Sequence, residues 1–122
     1  MTKEKTAEFL ADCLEHMPDQ PEHLQRVVET VLCGLIHIAN GQEWPENEAW
    51  AAAYAARTAA RAAARAAAYW AAAWAARTAA DEAWAADATY WADRVADYAA
   101  RAHPDPDAER ARQKARRKEL GI

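Results

Sequence analysis

The hydrophobic positions near the start of the chain recur at the spacing of a helix. Phe9, Cys13 and Met17 are four residues apart, so they share one helical face, and Leu10 and Leu14 widen that face. Polar side chains occupy most of the remaining positions. This pattern predicts an amphipathic helix over residues 2–16.

A second apolar stripe predicts a helix over residues 21–39. Pro21 suits its first turn, because the backbone angle of proline is already helical and a first-turn amide has no intrahelical partner. Asn40 and Gly41 indicate an ending, since both residue types adopt the left-handed conformation that closes helices. The stripe comprises Leu24, Val28, Val31, Leu32, Leu35 and Ile38.

Between residues 49 and 102 the pattern changes, because 30 of the 54 residues are alanine and large side chains are sparse. Alanine is the best helix former, so this region is predicted to be helical, with Asn47 as its N-terminal cap. One helix of this length would extend for about 80 Å, whereas a compact domain of this size is about 35 Å across. We therefore expect the region to fold back at least once, or to dimerise as a rod.

No glycine or proline marks the bend in this region. The aromatic residues before residue 77 and those after residue 81 lie on different helical stripes. We therefore expect the break at residues 77–81, with Thr78 or Asp81 as the new cap. The alternative position for the break is residues 66–68.

Aromatic residues are expected to fill the core of this region, because alanine side chains are too small to form one by themselves. In the alternative, the rings form an exposed patch for a partner. The hexapeptide Ala-Ala-Arg-Thr-Ala-Ala occurs at residues 55–60 and again at 75–80, which indicates a duplicated helical unit. The rings expected in the core are those of Trp70, Trp74, Trp84, Trp91 and Tyr98.

Together these patterns predict an all-α fold, a compact helical bundle of about four to five helices with a long Ala-rich antiparallel helix pair. We expect one domain over residues 1–122. Its parts are an acidic two-helix segment (1–46), the Ala/Trp/Tyr/Arg-rich helices (47–102) and a charged C-terminal helix (103–122). Asp107 is expected to cap that last helix, which is polar on all sides and is expected to fray.

The net charge of −4 conceals a segment that carries only positive charge. From residue 49 to residue 80 there are four arginines and no acidic side chain. Such a segment needs counter-charges from elsewhere. The acidic N-terminal part, a second subunit or an anionic ligand could supply them.

The sharpest candidate site is a stripe of aromatic and basic residues at the start of this segment. Its first five members lie within a sector of about 80°, and a sixth extends it. Aromatic rings stack on a planar base, and guanidinium groups bind phosphate or carboxylate through paired hydrogen bonds. The stripe comprises Trp50, Tyr54, Arg57, Arg61, Arg65 and Tyr69. In the alternative, its arginines face the solvent or pair with Glu8, Asp12, Glu15, Glu22 or Glu29.

Enzymatic chemistry is not indicated by these residues. The chain has no serine, its two cysteines fall within amphipathic helices, and its three glycines form no phosphate-binding loop. Asp12/His16 and Cys33/His37 have the spacing of metal ligands, but isolated pairs of this kind are common by chance. We therefore expect no enzyme activity, no metal and no cofactor.

Several further classes of protein are disfavoured. Arginines interrupt the alanine run, so it is not expected to span a membrane. The C-terminal basic residues are interspersed with glutamates in an acidic chain, so nucleic-acid binding is not expected. No secretory signal opens the chain and two cysteines are too few for a disulfide framework, which together predict a cytoplasmic protein.

Four segments carry a resemblance to a known family. They are Phe9-Leu-Ala-Asp-Cys-Leu-Glu15, Arg26-Val-Val-Glu-Thr30, Asn40-Gly-Gln-Glu43 and Trp91-Ala-Asp-Arg-Val-Ala-Asp-Tyr-Ala-Ala-Arg-Ala-His-Pro104. With the alanine run studded by Tyr and Trp, this layout resembles the Ala-rich, Imm-5-like immunity proteins of bacteria and phages. The resemblance implies a small, non-enzymatic antagonist in bacterial and phage conflict. The chain departs from the family pattern where tryptophan replaces tyrosine or alanine.

The expected function is that of a non-enzymatic binding protein of the immunity or anti-defence type, which sequesters an anionic target on its Arg/Trp/Tyr surface. The target is a nucleotide-like immune signal or an acidic protein surface. The alternative is a structural or oligomeric helical module whose arginines pair internally and which binds no small molecule. A homo-oligomer is expected, because long alanine faces favour close helix contacts and few large side chains leave a thin core.

Overall fold

The computed structural model describes residues 3–18, 22–62, 67–80 and 84–122, and every regular element in these ranges is a helix. The six helices are α1 (Lys3–Glu15), α2 (Glu22–Ala39), α3 (Glu46–Ala62), α4 (Ala67–Ala80), α5 (Trp84–Arg101) and α6 (Pro106–Leu120). The all-α prediction is confirmed, with six helices in the described ranges instead of four to five. α1 and α2 begin and end within a residue or two of the bounds that their apolar stripes predicted.

The Ala-rich region forms three helices, α3, α4 and α5, and not the predicted pair. α3 ends at Ala62 and α4 ends at Ala80, so helices end near both of the expected breaks. Alanine favours a helix at every position and carries no signal for an ending, which is why the sequence did not indicate two breaks. Thr78 lies inside α4, where its hydroxyl donates a 2.7 Å hydrogen bond to the Trp74 carbonyl. Asp81 lies outside the described residues.

α4 lies at the centre of the bundle, in contact with α1, α2, α3 and α5. α3 packs along one side of it and α5 along another. Only four residues separate α3 from α4 in the sequence and only three separate α4 from α5. Helices this close in sequence that pack side by side form antiparallel pairs, so we infer that α3, α4 and α5 run in alternating directions. This arrangement brings the start of α3 next to the end of α4.

Alanine side chains form much of the core, contrary to the expectation that they are too small for this role. Alanine-lined faces let helix backbones approach closely, which leaves no space between them for larger side chains. The buried alanines include Ala56, Ala60, Ala68, Ala71, Ala72, Ala75, Ala76, Ala92 and Ala99. The largest fully buried hydrophobic side chains come from α1, α2 and α5 and include Phe9, Leu10, Val31, Leu35 and Val95.

The aromatic residues expected in the core lie at its edge instead. Trp70, Trp74, Trp91 and Tyr98 are half-buried, and the side chain of Trp84 is outside what the structure describes. Each of these half-buried rings packs on its neighbours with one part of its surface and leaves another part accessible. The close approach of the alanine faces explains their place, because the rings do not fit between the helices.

The C-terminal helix α6 is docked on the bundle, contrary to the expectation that it frays. Asp105 caps it and not Asp107, since the Asp105 carboxylate accepts a 3.2 Å hydrogen bond from the Ala108 amide. Glu109 and Gln113 lie on its inner face and are each 5% exposed. The helix therefore has a buried polar side that the sequence pattern did not show.

Acidic residues of α1 pair with this C-terminal helix. Arg112 binds Asp12 at 2.7 Å and Glu109 at 2.6 Å, and Arg116 binds Glu8 at 2.9 Å. The acidic N-terminal half thus supplies counter-charges to α6, at the opposite end of the sequence.

The connection from α2 to α3 is held by a close contact between Trp44 and Gly34. A Cβ atom at position 34 would collide with the Trp44 ring, so glycine is required for the indole to lie against α2. This contact fixes the path of the chain from α2 into α3, the helix that carries most of the predicted site residues.

Candidate functional site

A groove of about 760 Å³ lies between α3 and α4. This volume falls within the range of small-molecule binding sites, which is roughly 300–1,000 Å³. Among the residues that the structure describes, its lining consists of alanine, aromatic and arginine side chains. From α3 these are Trp50, Ala51, Ala53, Tyr54 and Arg57, and from α4 they are Trp70, Ala73, Trp74 and Arg77.

Three of the six predicted site residues line this groove. Trp50, Tyr54 and Arg57 lie on the exposed face of α3, and the two rings are 44% and 75% exposed. Arg61 is exposed one turn further along α3 but does not line the groove. Arg65 lies outside the described residues. Three residues of the predicted stripe thus line one groove, and Arg61 lies beyond it.

The expected extension of the stripe to Tyr69 is wrong. Tyr69 is 3% exposed and does not line the groove, and its burial raises the pKa of its hydroxyl. It belongs to α4, whose direction is opposite to that of α3, so the helical phase of the stripe does not continue to it.

The second wall of the groove, formed by Trp70, Trp74 and Arg77 of α4, was missed by the sequence analysis. A signal for it exists, because the repeated hexapeptide is part of a longer repeat. The segments Trp50–Ala60 and Trp70–Ala80 are identical except at one position, where Tyr54 corresponds to Trp74. In the longer repeat, Trp70, Trp74 and Arg77 correspond to Trp50, Tyr54 and Arg57. The two sets of residues therefore have the same spacing along their helices.

The α4 wall is held in place by aromatic contacts with α5. Trp74 stacks on Trp91 with ring centroids 4.8 Å apart and planes 25° apart, and Trp70 lies 6.4 Å from Tyr98. The guanidinium of Arg77 lies 5.3 Å from the Trp74 ring and 5.4 Å from the Trp91 ring, within the range of cation–π attraction. This wall is therefore pre-organised before any ligand arrives.

A second arginine supports the same stack from α5. The guanidinium of Arg94 lies 5.3 Å from the Trp74 ring, and its Nε donates a 3.0 Å hydrogen bond to the Tyr90 hydroxyl. That hydrogen bond raises the pKa of Arg94, so the group stays charged. Two cations thus lie against one indole pair, which concentrates positive charge beside the groove.

The arginines of the groove have no carboxylate partner among the described residues. Within those ranges no acidic oxygen lies within 4 Å of the guanidinium groups of Arg57, Arg61 or Arg77, and no acidic side chain lines the groove. Internal pairing with the N-terminal acids, the alternative drawn from the sequence, is not what the described ion pairs show. In those pairs Asp12 contacts Arg112, Arg116 and His16, Glu8 contacts Arg116, and Glu22 contacts Arg26.

The two pairs with metal-ligand spacing do not extend to a larger cluster in the described parts of the chain. The Cys33 sulfur lies 4.0 Å from His37 Nδ1, and the Asp12 carboxylate lies 3.4 Å from His16 Nδ1. In both histidines Nδ1 lies 2.8 Å from the backbone carbonyl four residues earlier. Each histidine thus contacts the residue four positions earlier in its own segment of the chain.

Comparison of the chain with protein-family models, with curated proteins and with solved structures gives no match. The resemblance to the Imm-5-like family stays a prediction from the sequence. Within the described ranges, no helix has both the length and the apolar character needed to cross a bilayer. The fold and the groove define the protein as an all-α bundle with an aromatic, basic groove between two Ala-rich helices.

Proposed function

We propose that this protein is a non-enzymatic binding protein that sequesters an anionic, nucleotide-like ligand in the groove between α3 and α4. One observation carries the proposal. The groove combines four aromatic side chains with two arginines, and no carboxylate among the described residues neutralises those arginines.

The chemistry of the lining matches the two parts of a nucleotide. A planar base stacks on indole or phenol rings, and each stacked base contributes about 1–3 kcal/mol to binding. Phosphate oxygens accept paired, charge-assisted hydrogen bonds from guanidinium groups such as those of Arg57 and Arg77. The alanines of the lining leave room for the ligand, because their side chains extend little from the backbone.

The recessed shape favours a small molecule over an acidic protein surface as the target. Protein–protein interfaces are broad, whereas a groove of about 760 Å³ has room for one ligand of nucleotide size. Binding is also favoured over catalysis, because the described residues that line the groove include no carboxylate, histidine or cysteine for proton transfer or nucleophilic attack.

We place this activity in bacterial and phage conflict, as an immunity or anti-defence antagonist that removes a nucleotide-like immune signal. The resemblance of the chain to Imm-5-like immunity proteins supports this setting. The cytoplasm, where such signals are made, is the proposed location. A homo-oligomer stays a prediction, and light scattering over a range of protein concentrations tests it.

Calorimetric titration with a panel of nucleotides tests the proposed function, with Arg57→Gln as the variant and Arg61→Gln as its matched control. Both arginines are exposed on α3, but only Arg57 lines the groove. We expect Arg57→Gln to weaken binding about tenfold or more, since a hydrogen bond to a charged group contributes about 1.5–3 kcal/mol. Arg61→Gln should leave the affinity within about twofold of the original.

Two results would contradict the proposal. Absence of binding to every nucleotide in the panel would overturn nucleotide binding as the function of the groove. Equal losses in the two variants would show that general positive charge, and not the groove, attracts the anion.

A further inference from the structure

The groove is built from two copies of one eleven-residue segment. The copies, Trp50–Ala60 and Trp70–Ala80, differ only where Tyr54 corresponds to Trp74. In each copy the first, fourth, fifth and eighth residues line the groove. These equivalent pairs are Trp50/Trp70, Ala53/Ala73, Tyr54/Trp74 and Arg57/Arg77, and they account for eight of the nine lining residues.

The two copies also share their local backbone interactions. The hydroxyl of Thr58 donates a 2.9 Å hydrogen bond to the Tyr54 carbonyl, and that of Thr78 donates a 2.7 Å hydrogen bond to the Trp74 carbonyl. Such a bond to the carbonyl four residues earlier perturbs a helix locally. The same hydrogen bond therefore occurs at the same position in both walls.

The groove has approximate two-fold symmetry, because its two walls are copies of one segment and run in opposite directions. Because α3 and α4 are antiparallel, a rotation of half a turn about an axis through the groove exchanges the two copies. The tryptophan that opens one copy then lies at the same end of the groove as the arginine of the other copy. Each end thus has one indole and one guanidinium, with Tyr54 and Trp74 near the centre.

We propose that the ligand has two equivalent halves, each with one planar base and one anionic group, and that its chemical class is a cyclic dinucleotide. This inference rests on the proposed function and adds the form of the ligand to it. A cyclic dinucleotide carries two bases and two phosphates related by an approximate two-fold axis. Those groups correspond in number and arrangement to the two indole–guanidinium ends of the groove.

The two walls of the groove, α3 and α4, differ in how firmly their side chains are held. Trp70 and Trp74 pack on rings of α5, whereas Trp50 and Tyr54 are exposed and have no ring contact among the described residues. The α4 wall is therefore held in place by its ring contacts, and the side chains of the α3 wall become ordered around the ligand. Contact with the second half is intramolecular once the first half is bound, which increases the affinity for a two-headed ligand.

Titration calorimetry with 3′,5′-cyclic dinucleotides of adenine and guanine, compared with the 5′-mononucleotides of the same bases, tests this inference. We expect one cyclic dinucleotide per chain, bound at least about tenfold more tightly than the mononucleotide, because two linked contacts act together. Arg57→Gln and Arg77→Gln should each weaken cyclic dinucleotide binding by about tenfold or more. Arg61→Gln is the matched control and should bind as the unmodified protein does.

The possible failures separate the two proposals. A mononucleotide that binds as tightly as the cyclic dinucleotide would overturn the two-headed ligand and leave nucleotide binding in place. An effect of Arg77→Gln without any effect of Arg57→Gln would do the same. If neither class of nucleotide binds, the proposed function fails as well. Circular dichroism of each variant shows whether the helical fold is retained.

Discussion

At the scale of single residues, the two cysteines lie in opposite environments. Cys13 is fully buried in α1, and burial together with the nearby Asp12 carboxylate raises the pKa of its thiol to about 12. Cys33 is exposed on α2. Since the thiolate is the reactive form, the two positions should differ strongly in reactivity.

A thiol reagent at mildly alkaline pH should therefore modify one thiol of the native protein quickly and the other only on unfolding. We expect Cys33→Ser to abolish the fast reaction and Cys13→Ser to leave it unchanged, as measured by mass spectrometry of the modified chain. Two thiols reacting at similar rates in the folded protein would show that α1 opens readily.

At the scale of helices, α3 and α4 show how one sequence behaves in two environments. Ala55 and Ala75 occupy the same position of the eleven-residue repeat, but Ala55 is exposed and Ala75 is fully buried. The flanking residues match, except that Tyr54 precedes Ala55 where Trp74 precedes Ala75. If the same substitution changes stability differently at the two positions, the difference therefore measures the effect of burial and not of helix propensity.

We expect Ala75→Val to lower the free energy of unfolding by about 1–3 kcal/mol more than Ala55→Val does, because extra methyl groups overpack a close helix contact. Both variants carry the same small propensity cost of valine. Urea titration measures the difference. Similar losses would mean that α4 can move away from its neighbours at little cost.

The ends of the helices were predictable where apolar residues alternate with polar ones. They were not predictable in the Ala-rich region, where alanine occupies both buried and exposed positions. The stripes around Phe9 and Val31 located α1 and α2, because burial of those side chains determines the helical face. In the Ala-rich region helix propensity is uniform, so the sequence indicated helix but not the number of helices.

The candidate site was likewise predictable only in part. The α3 wall was predicted, because Trp50, Tyr54 and Arg57 share a stripe within one helix. The α4 wall depends on a reversal of the chain that local periodicity does not encode. The sequence therefore assigned Trp74 to the core and Tyr69 to the site. In the structure Tyr69 is buried in the core, and Trp74 lies at the edge of the core and lines the groove.

At the scale of the whole molecule, charges of opposite sign are distributed between two regions. The arginines of α6 bind carboxylates of α1 and α5, as in the 2.6 Å contact between Arg117 and Asp93. The groove on α3 and α4 receives no carboxylate from the described residues. We therefore expect a local positive potential at the groove of this acidic chain, which would attract anions most strongly at low ionic strength.

The ion-pair network between the first and last helices should make stability depend on pH. Burial alone would raise the pKa of Glu109, but hydrogen bonds and charge from Arg112, with His103 nearby, lower it below the ordinary value of 4.5. A carboxyl group with a lowered pKa in the folded state stabilises the fold above its unfolded pKa. That contribution is lost as the pH falls through the folded pKa.

We therefore expect the free energy of unfolding to decrease from about pH 5 towards about pH 3, and to decrease less in Glu109→Gln. The two proteins should differ most near neutral pH and converge in acid, as measured by urea titration at each pH. A constant difference across this range would show that packing of residue 109, and not its charge, stabilises the docked helix.

The stacked indoles of Trp74 and Trp91 have a practical consequence. Two chromophores at 4.8 Å couple their electronic transitions, so the pair produces a paired band of opposite signs in circular dichroism. One face of the pair borders the groove through Trp74. The protein therefore carries an optical probe in the wall of its own candidate site, and occupancy can be followed without a label.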